Sequence, residues 1–477
     1  MNFNNDEYTL NLDDLGDTTE VKDIRKLILE AKTPFSIGIS GRWGSGKTSV
    51  MKHLMASVGG KPTEHVINFS SVALEKIDDY TTIAKKYAWD EQKYPYVHTI
   101  WFNPWEYEHH AEPMVGLLQE IHTHFSTYIK SKNKITKLAT ITIQSGLDML
   151  GSYLKIGKNV ATNIKTIGEN YEKENFLSID RNLKFKMAFY EAIKLLLLNK
   201  DIDSKDDITT NEHKENARVI IFIDDLDRCE DATISTLLKE IKQYLATKHC
   251  VFVFGYDRQQ IEKSLSKTEV NTAKDARVYL EKLFQATFYI KAPKVEQIEK
   301  YVIAHLKMTI TAHWYRHDFI PFLCEMMDPN PRRIKRYLTA VYFHLQHAEE
   351  KTFEAYKKFA LMAYLKFFYE PVYSALENKH DMLDAITEVC NNKDMSTVDN
   401  KEQYFVYLEF LSHFDKTNET EFLNVDLRKK IISHTEIGQN KFLEEVYYMQ
   451  GKHTSFNRFK RAFYEAFNDE KHIERYI

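Results

Sequence analysis

Eight residues from Gly41 to Thr48 form a pattern suited to binding a nucleoside triphosphate. They read Gly-Arg-Trp-Gly-Ser-Gly-Lys-Thr and match G-x-x-x-x-G-K-[ST] without a mismatch. Gly41, Gly44 and Gly46 let the backbone curl so that successive N–H groups converge on an anion. Lys47 would reach the β- and γ-phosphates, and the Thr48 hydroxyl would bind Mg²⁺. The predicted phosphate-binding residues are Gly41, Trp43, Gly44, Ser45, Gly46, Lys47, Thr48 and Ser49.

Two carboxylates follow an apolar run later in the chain. Residues 220–223 are all apolar, and Asp224 and Asp225 come directly after them. Such a run predicts a buried strand that delivers its acids to the carboxyl edge of a sheet, where open α/β sheets bind ligands. Asp224 would hold Mg²⁺, directly or through water, and Asp225 would act as a general base on the attacking water. A strand followed by an acidic turn also explains the pattern, but its place after a phosphate loop favours a hydrolytic site.

A third polar group lies at the end of the next apolar run. Residues 251–254 are followed by Gly-Tyr-Asp-Arg, which places Asp257 just beyond a predicted strand. Asp257 would sense the γ-phosphate or orient the attacking water. It would equally well cap the helix predicted over 259–265, and the two roles are compatible.

A guanine-recognition pattern, N-K-x-D, occurs at Asn378–Asp381. It follows a predicted helical run and lies far beyond the last predicted strand, so we interpret the match as chance. Adenine is therefore the expected base.

An alternation of strands and helices would position these groups. The predicted strands are 35–40, 97–102, 218–223, 250–255 and 286–290, with a possible peripheral strand at 65–70. Helices are predicted over 21–31, 49–56, 113–129, 233–245, 259–265 and 275–284. This order indicates an α/β fold with a parallel sheet. After residue 293 only helices are expected, at 296–309, at 331–347 and through most of 352–477.

Composition limits the other classes of function. The chain has 477 residues and a formal charge of −4, which gives no general argument for binding nucleic acid or an anionic membrane. Its four cysteines are dispersed, as is typical of reduced thiols in a cytoplasmic protein. The polar, acidic start does not resemble a signal peptide. The longest weakly charged stretch, 138–154, falls short of the roughly 20 apolar residues that span a bilayer. We therefore expect a cytoplasmic protein without membrane contact.

Several segments taken together resemble the KAP family of P-loop NTPases. They are Gly38–Thr48, Phe102–Trp105, Ile223–Cys229, Tyr256–Arg258, Tyr279–Lys282 and Asn330–Arg336. The resemblance implies an ATPase of the additional-strand class with a helical lid, related to STAND and AAA+ proteins. Many members carry transmembrane helices between the two phosphate-site motifs. Here the matching interval, roughly 130–210, is amphipathic and rich in lysine, so this chain resembles the members without such helices.

The resemblance also suggests roles for arginines. Arg332 and Arg333 fit a lid position from which a guanidinium binds the γ-phosphate and couples nucleotide state to lid angle. A helix cap at Asn330 followed by a solvated basic face explains the same residues. Arg228 and Arg277 are candidates for a finger that reaches a neighbouring subunit, although a surface salt bridge is the favoured interpretation of each.

Two aromatic residues and one acid complete the candidate site. Trp43 and Trp105 are candidates to flank the nucleotide, although for Trp105 a place in the core is the favoured interpretation. Glu106 is a further candidate for positioning water. The predicted catalytic residues are Asp225, Lys47, Asp257 and Arg332, and Arg333 joins the nucleotide-binding set.

The predicted organisation has three parts. Residues 1–292 form the P-loop NTPase core with a helical insertion at about 130–210, residues 293–345 form a helical lid, and residues 346–477 form an all-α C-terminal domain. The expected function is an ATP-binding, slowly hydrolysing switch that acts with Mg²⁺. It would couple nucleotide state to homo-oligomerisation or to a protein partner through the C-terminal helices. Because the resembling family includes a plasmid phage-exclusion protein, antiviral defence is one expected context. The alternatives are an ATPase stimulated by nucleic acid and a non-catalytic scaffold.

Overall fold

A computed structural model of the chain describes most of the predicted core and the helices that follow it. The described ranges are 20–61, 72–108 except 95, 116–124 except 122, 217–268 except 245, 272–306, 313–391 except 328 and 347, and 454–477 except 471. Residues 10, 12, 189, 190, 193, 197, 402, 403, 406 and 409 are described individually. The chain divides into two compact units, Tyr8–Lys291 and Ala292–Ile477.

Five parallel strands form one sheet in the first unit. They are β1 (Phe35–Ser40), β2 (Val97–Phe102), β3 (Arg218–Ile223), β4 (Cys250–Tyr256) and β5 (Ala286–Tyr289). Their order across the sheet is β2-β3-β4-β1-β5. Strand β4 therefore separates the strand before the glycine-rich loop from the strand before the paired acids. This is the additional-strand arrangement, and it confirms the predicted α/β P-loop NTPase core.

The strand register brings the candidate site together. Ser40 at the end of β1 lies opposite Tyr256 in β4, and Phe102 at the end of β2 lies opposite Ile223 in β3. Because all pairings are parallel, the carboxyl ends of these strands lie along one edge of the sheet. The loops that leave that edge contain the glycine-rich segment and the acids.

Helices cover both faces of this sheet. They are α1 (Val21–Glu30), α2 (Lys47–Ser57), α3 (Val72–Lys86), α4 (Asp231–Tyr244), α5 (Arg258–Thr268) and α6 (Ala273–Leu283). On one face α1 and α2 pack with Ile220 and Phe222, and on the other α4, α5 and α6 pack with Val219 and Ile221. Successive side chains of a strand point to opposite faces, so a strand covered on both sides must be apolar throughout. This explains the uninterrupted apolar run before Asp224.

Some predicted elements differ from the structure or lie outside the described residues. Helix α3 was not predicted; its buried Tyr80 and Ile83, three residues apart on one helical face, are the signal that could have identified it. The possible strand at 65–70 lies outside the described residues, as does nearly all of the predicted insertion at 130–210. The described residues of the predicted helix 113–129 are helical.

The second unit is helical in every described element. Its helices are α7 (Val295–His305), α8 (Ile320–Met326) after a π-helical turn at Tyr315–Phe319, α9 (Pro331–Gln346), α10 (Phe353–Phe368), α11 (Glu370–Asn378), α12 (Met382–Asn391) and α13 (Thr454–Phe467). Helix α10 is central, since every residue from Phe359 to Leu365 is buried. The Tyr337 hydroxyl of α9 donates to the Ala360 carbonyl at 2.9 Å. Among the described residues, no helix is long and apolar enough to cross a membrane.

Candidate nucleotide-binding site

The glycine-rich loop has the backbone conformation that its sequence predicts. Gly44 and Gly46 have φ angles of 81° and 97°, in the left-handed region where a side chain is strained. The Gly41 N–H donates to the Tyr256 carbonyl at 3.1 Å, which ties the loop to the end of β4. Helix α2 begins directly after Gly46, at Lys47. The loop therefore presents the amino-terminal, positive end of α2 to the carboxyl edge of the sheet.

Lys47 is buried against the loop and against an acid from the turn that follows β3. Its side chain donates from Nζ to the Gly41 carbonyl at 2.9 Å and lies 3.4 Å from Asp227 Oδ2. Only 8 % of the Lys47 side chain and 7 % of the Asp227 side chain are exposed. The ammonium group is thus held at the phosphate loop by both backbone and side-chain oxygens.

Thr48 and Asp224 join the two predicted halves of the site. The Thr48 hydroxyl donates to Asp224 Oδ2 at 2.6 Å. The second oxygen of Asp224, Oδ1, is buried and has no hydrogen-bond partner among the described residues. Burial raises the pKa of Asp224, and the Thr48 hydrogen bond and the charge of Lys47 oppose that rise. The structure therefore places these two predicted metal ligands in direct contact.

Gly255 makes room for this carboxylate, a feature that the sequence analysis did not identify. A Cβ atom at Gly255 would lie 2.7 Å from Asp224 Oδ1 and 2.3 Å from Met51 Sδ. Both distances are far shorter than carbon contacts in proteins. The only signal in the sequence is a glycine near the end of a β-branched and aromatic strand, which marks close approach of another group.

Asp225, the predicted general base, begins a tight turn. It has a left-handed φ of 57°, and its Oδ1 lies 2.8 Å from Arg228 Nε. Burial raises the pKa of Asp225 to about 6, with a further rise from Asp224 and an opposing effect from Arg228. A carboxylate with a pKa near the working pH is well suited to accept a proton. The geometry also shows Arg228 in the ion pair that the sequence analysis favoured for it.

Asp227 is the main residue of the site that the sequence analysis missed. A 3-10 turn at Leu226–Arg228, anchored by buried Leu226, returns the chain toward the loop after Asp225. Asp227 Oδ2 faces Lys47, and Oδ1 is buried without a hydrogen-bond partner among the described residues. The signal was the third acid of the Asp-Asp-Leu-Asp string, which contributed to the family resemblance but received no role.

Asp257 lies at the same edge and caps a helix. It is 7 % exposed, and its Oδ1 accepts from the Gln259 N–H at 3.1 Å at the start of α5. The capping alternative is therefore present in the structure. Its additional role as a sensor of the γ-phosphate stays a prediction.

The flanking aromatic residues are accessible to solvent. Trp43 is 65 % exposed and Trp105 is 49 % exposed, so Trp105 does not lie in the core. The Arg228 guanidinium carbon lies 5.9 Å from the Trp105 ring centroid. Glu106 accepts from Asn103 Nδ2 at 2.7 Å on the surface of this edge. Accessible rings at this edge fit the prediction that they flank a nucleotide.

Ser45, Ser49 and Arg277 complete the predicted residues of the first unit. Ser45 Oγ is buried and has no hydrogen-bond partner among the described residues, and Ser49 lies in the first turn of α2. Arg277 Nε lies 3.4 Å from Glu262 Oε2, which is the favoured salt-bridge interpretation.

The lid arginines belong to the second unit. The Asn330 side chain accepts from the Arg332 and Arg333 N–H groups at 3.1 and 3.2 Å, so it caps α9. The Arg333 guanidinium lies 4.6 Å from the Phe368 ring centroid within the same unit. The γ-phosphate role of both arginines stays a prediction.

The donor set fits Mg²⁺. Thr48 supplies a hydroxyl, and Asp224 supplies a carboxylate oxygen without a protein partner among the described residues. Those residues contain no cluster of three or more His, Cys, Asp or Glu side chains that could enclose a metal ion. Mg²⁺ is commonly held in this sparse way, by one or two oxygen side chains together with the phosphates of a substrate.

Comparison with known proteins identifies one family. A family model described as the KAP family P-loop domain matches residues 18–348. No curated protein matches the chain.

Among solved structures, the chain is similar to the Aeropyrum pernix ORC2 protein in ADPNP–ADP complexes, with 10% identity, a TM-score of 0.35, and coverage of 91% of this chain and 94% of that one. It is also similar to Aeropyrum pernix ORC1 in complex with DNA (13% identity, TM-score 0.33, 87% and 81% coverage). The Drosophila ORC bound to DNA matches with 11% identity, a TM-score of 0.26 and 90% coverage of each chain. These TM-scores are too low to support any inference about this chain.

Proposed function

Because the chain belongs to the KAP family of P-loop NTPases, whose domain model spans residues 18–348, we propose that it binds ATP with Mg²⁺ and hydrolyses it slowly as a molecular switch. The observation that carries this proposal is the 2.6 Å hydrogen bond from Thr48 to Asp224. It joins the phosphate loop to the acidic strand end, two segments 176 residues apart in the chain. A loop without a nucleotide-binding role would not require this pairing.

Each side chain has a part in the proposed hydrolysis. The loop N–H groups and Lys47 would bind the phosphates, and Thr48 and Asp224 would hold Mg²⁺. When bound, Mg²⁺ neutralises phosphate charge and orients the phosphates. Asp225 would accept a proton from the water whose oxygen attacks the γ-phosphorus, while the bond from that phosphorus to the β,γ-bridging oxygen breaks. Asp225 must leave Arg228, or share its carboxylate with it, to reach that water.

The proposal of adenine rests on the position of the guanine-like pattern. Asn378 is the last residue of α11, and Lys379 forms ion pairs with Asp381 and Glu402. All of these residues belong to the helical unit, and none of them follows a strand of the sheet in the chain. Their local pairing supports the interpretation that the match is chance.

The proposed output of the switch lies in the helical second unit. We propose that nucleotide state controls homo-oligomerisation or the docking of a protein partner on these helices, in the cytoplasm. Antiviral defence is the biological context that the family resemblance suggests. The Arg332 and Arg333 pair, on the first turn of α9, would couple the second unit to the γ-phosphate.

Nucleotide binding is the first test. Isothermal titration of the full chain with ATP and Mg²⁺ should show a single site, and Lys47→Ala should weaken it by at least tenfold, since a charged hydrogen bond contributes about 1.5–3 kcal/mol. Lys52→Ala is the matched control, because Lys52 lies on the same helix but its ammonium sits 3.3 Å from the Trp101 ring centroid. Unchanged affinity in Lys47→Ala with a native thermal transition would refute the site assignment.

The switch itself is tested by mass photometry with and without a non-hydrolysable ATP analogue. A change in assembly on addition of the analogue supports a nucleotide-controlled switch, and no change favours a scaffold. Stimulation of hydrolysis by DNA or RNA at low salt would instead favour the nucleic-acid alternative.

A further inference from the structure

We propose that Asp227 is a positioning residue that makes nucleotide binding depend on Mg²⁺, because its buried charge competes with the phosphates for Lys47. This inference rests on the proposed function and assigns a regulatory role within the same site to a residue that neither motif includes. The proposed role of Asp227 is to lower the affinity of the site for nucleotide without Mg²⁺ relative to nucleotide with Mg²⁺.

The first step of the argument is the position of Asp227. Its Oδ2 lies 3.4 Å from Lys47 Nζ, and both side chains are more than nine-tenths buried. Its Oδ1 is buried and has no hydrogen-bond partner among the described residues. A carboxylate in this position has lost most of its hydration and keeps one incompletely satisfied oxygen, so its charge acts strongly on neighbouring groups.

The second step is the balance of charge. Asp224, Asp225 and Asp227 lie together behind the phosphate loop. Among the described residues, Lys47 contacts Asp227, Arg228 contacts Asp225, and Asp224 accepts from the Thr48 hydroxyl. Arg228 forms an ion pair with Asp225, and both side chains are partly exposed to solvent. Lys47 is therefore the buried cation that Asp227 and incoming phosphates would share.

The charge of Asp227 acts on Lys47 at short range and with little solvent between them, since both side chains are more than nine-tenths buried. The same field would act on any further negative charge placed beside Lys47. A triphosphate brings such charge to this point of the site.

The consequence is a selection against metal-free nucleotide. Without a divalent cation, phosphate oxygens approaching Lys47 meet the Asp227 carboxylate, and the ammonium must be shared between them. With Mg²⁺ on the phosphates, the added charge is largely neutralised and the penalty from Asp227 falls. Replacing the carboxylate of Asp227 by an amide removes the charge, keeps the shape and leaves Lys47 without a competing carboxylate.

The experiment compares ATP affinity in EDTA and in Mg²⁺ for the full-length wild type and Asp227→Asn. We expect Asp227→Asn to bind ATP in EDTA roughly tenfold more tightly than the wild type, the effect of about one pKa unit of interaction. Its affinity in Mg²⁺ should change by less than about threefold, so the ratio of the two affinities falls. Unchanged affinity in EDTA, or a loss of affinity confined to Mg²⁺, would overturn the proposal.

Two further variants control the interpretation. Asp231→Asn removes the same charge four residues later, from a side chain paired with Lys267 on the surface, and should leave both affinities at the wild-type value. If Asp227→Asn does not fold, Asp227→Ser supplies a second neutral side chain, and a wild-type ratio in that variant refutes the role of the charge. Absence of ATP binding by the wild type in Mg²⁺ would instead refute the proposed function.

Discussion

Substituting alanine for Gly255 should disrupt the predicted Mg²⁺ ligands Thr48 and Asp224. Gly255 itself belongs neither to the phosphate loop nor to the acidic motif. The new Cβ would lie 2.7 Å from Asp224 Oδ1, where a carbon–oxygen contact of ordinary length needs well over 3 Å. Asp224 is 1 % exposed and its other oxygen is bound to Thr48, so the carboxylate cannot rotate away and keep that hydrogen bond. We therefore expect the Thr48–Asp224 contact to be lost.

The magnitude follows from the two contacts that the methyl group makes. Overpacking against Met51 Sδ, 2.3 Å from the new Cβ, should cost about 1–3 kcal/mol of unfolding free energy, less if the flexible methionine moves. Losing a hydrogen bond to a charged group costs about 1.5–3 kcal/mol, which corresponds to a roughly 10- to 150-fold weaker affinity for ATP in Mg²⁺. The affinity measured in EDTA should change much less, because the phosphate loop is untouched.

The assay is titration with ATP in Mg²⁺ and in EDTA, accompanied by thermal unfolding. Gly38→Ala is the matched control, since its Cβ would lie 3.0 Å from Tyr256 and 3.1 Å from Phe284, among rings and away from the acids. Gly38→Ala should lower the free energy of unfolding but keep the increase in ATP affinity that Mg²⁺ produces relative to EDTA. Combining Met51→Ala with Gly255→Ala should destabilise the fold by less than the sum of the two single substitutions, because the clash with Sδ is removed, but it should not restore the increase in ATP affinity that Mg²⁺ produces. Wild-type affinity of Gly255→Ala in Mg²⁺ would refute the argument that the glycine sets the position of Asp224.

Two further predictions concern the residues that touch the metal and the attacking water. Thr48→Val should weaken ATP binding in Mg²⁺ about tenfold or more, because Asp224 loses its 2.6 Å donor and a metal ligand is removed. Thr48→Ser keeps the hydroxyl and should bind ATP as the wild type does. Equal ATP affinities for the two variants would contradict the assignment of Thr48 as a metal ligand. Asp225→Asn should retain ATP binding but lower the hydrolysis rate by roughly 10²- to 10⁴-fold, the usual contribution of a general base. Phosphate release under single-turnover conditions measures that rate. An unchanged rate would favour the scaffold alternative.

The predicted strands and the phosphate loop agree closely with the structure because their signals are local. Strands β1, β2 and β3 begin and end at the predicted residues, since a strand buried on both faces must be apolar along its whole length. The loop follows from glycines in left-handed conformations, which few other residues adopt. Helix α3 was missed because β-branched residues weaken its helical pattern, and only the burial of Tyr80 and Ile83 on one face identifies it.

The candidate site was predicted in part. Thr48 and Asp224 were each predicted to hold Mg²⁺ from their motifs, and the structure places them in contact, but the partners of Asp225 and Asp227 were not predicted. Asp225 and Asp227 are two residues apart in an apparently uniform acidic string, yet one pairs with Arg228 at the rim and the other with buried Lys47. The direction of a tight turn decides between these partners, and residue types alone do not encode that direction.

By itself, the sequence determined that this chain has a triphosphate-binding loop, a strand ending in acids and a helical region after the last predicted strand. These features depend on residues that are neighbours in the chain, through backbone conformation and the periodicity of burial. The tertiary structure decided which residues far apart in the chain come into contact. The sheet order places β4 between the two halves of the site. That order brings Gly255 against Asp224, and the return of the acidic turn brings Asp227 to Lys47, 180 residues away in the chain.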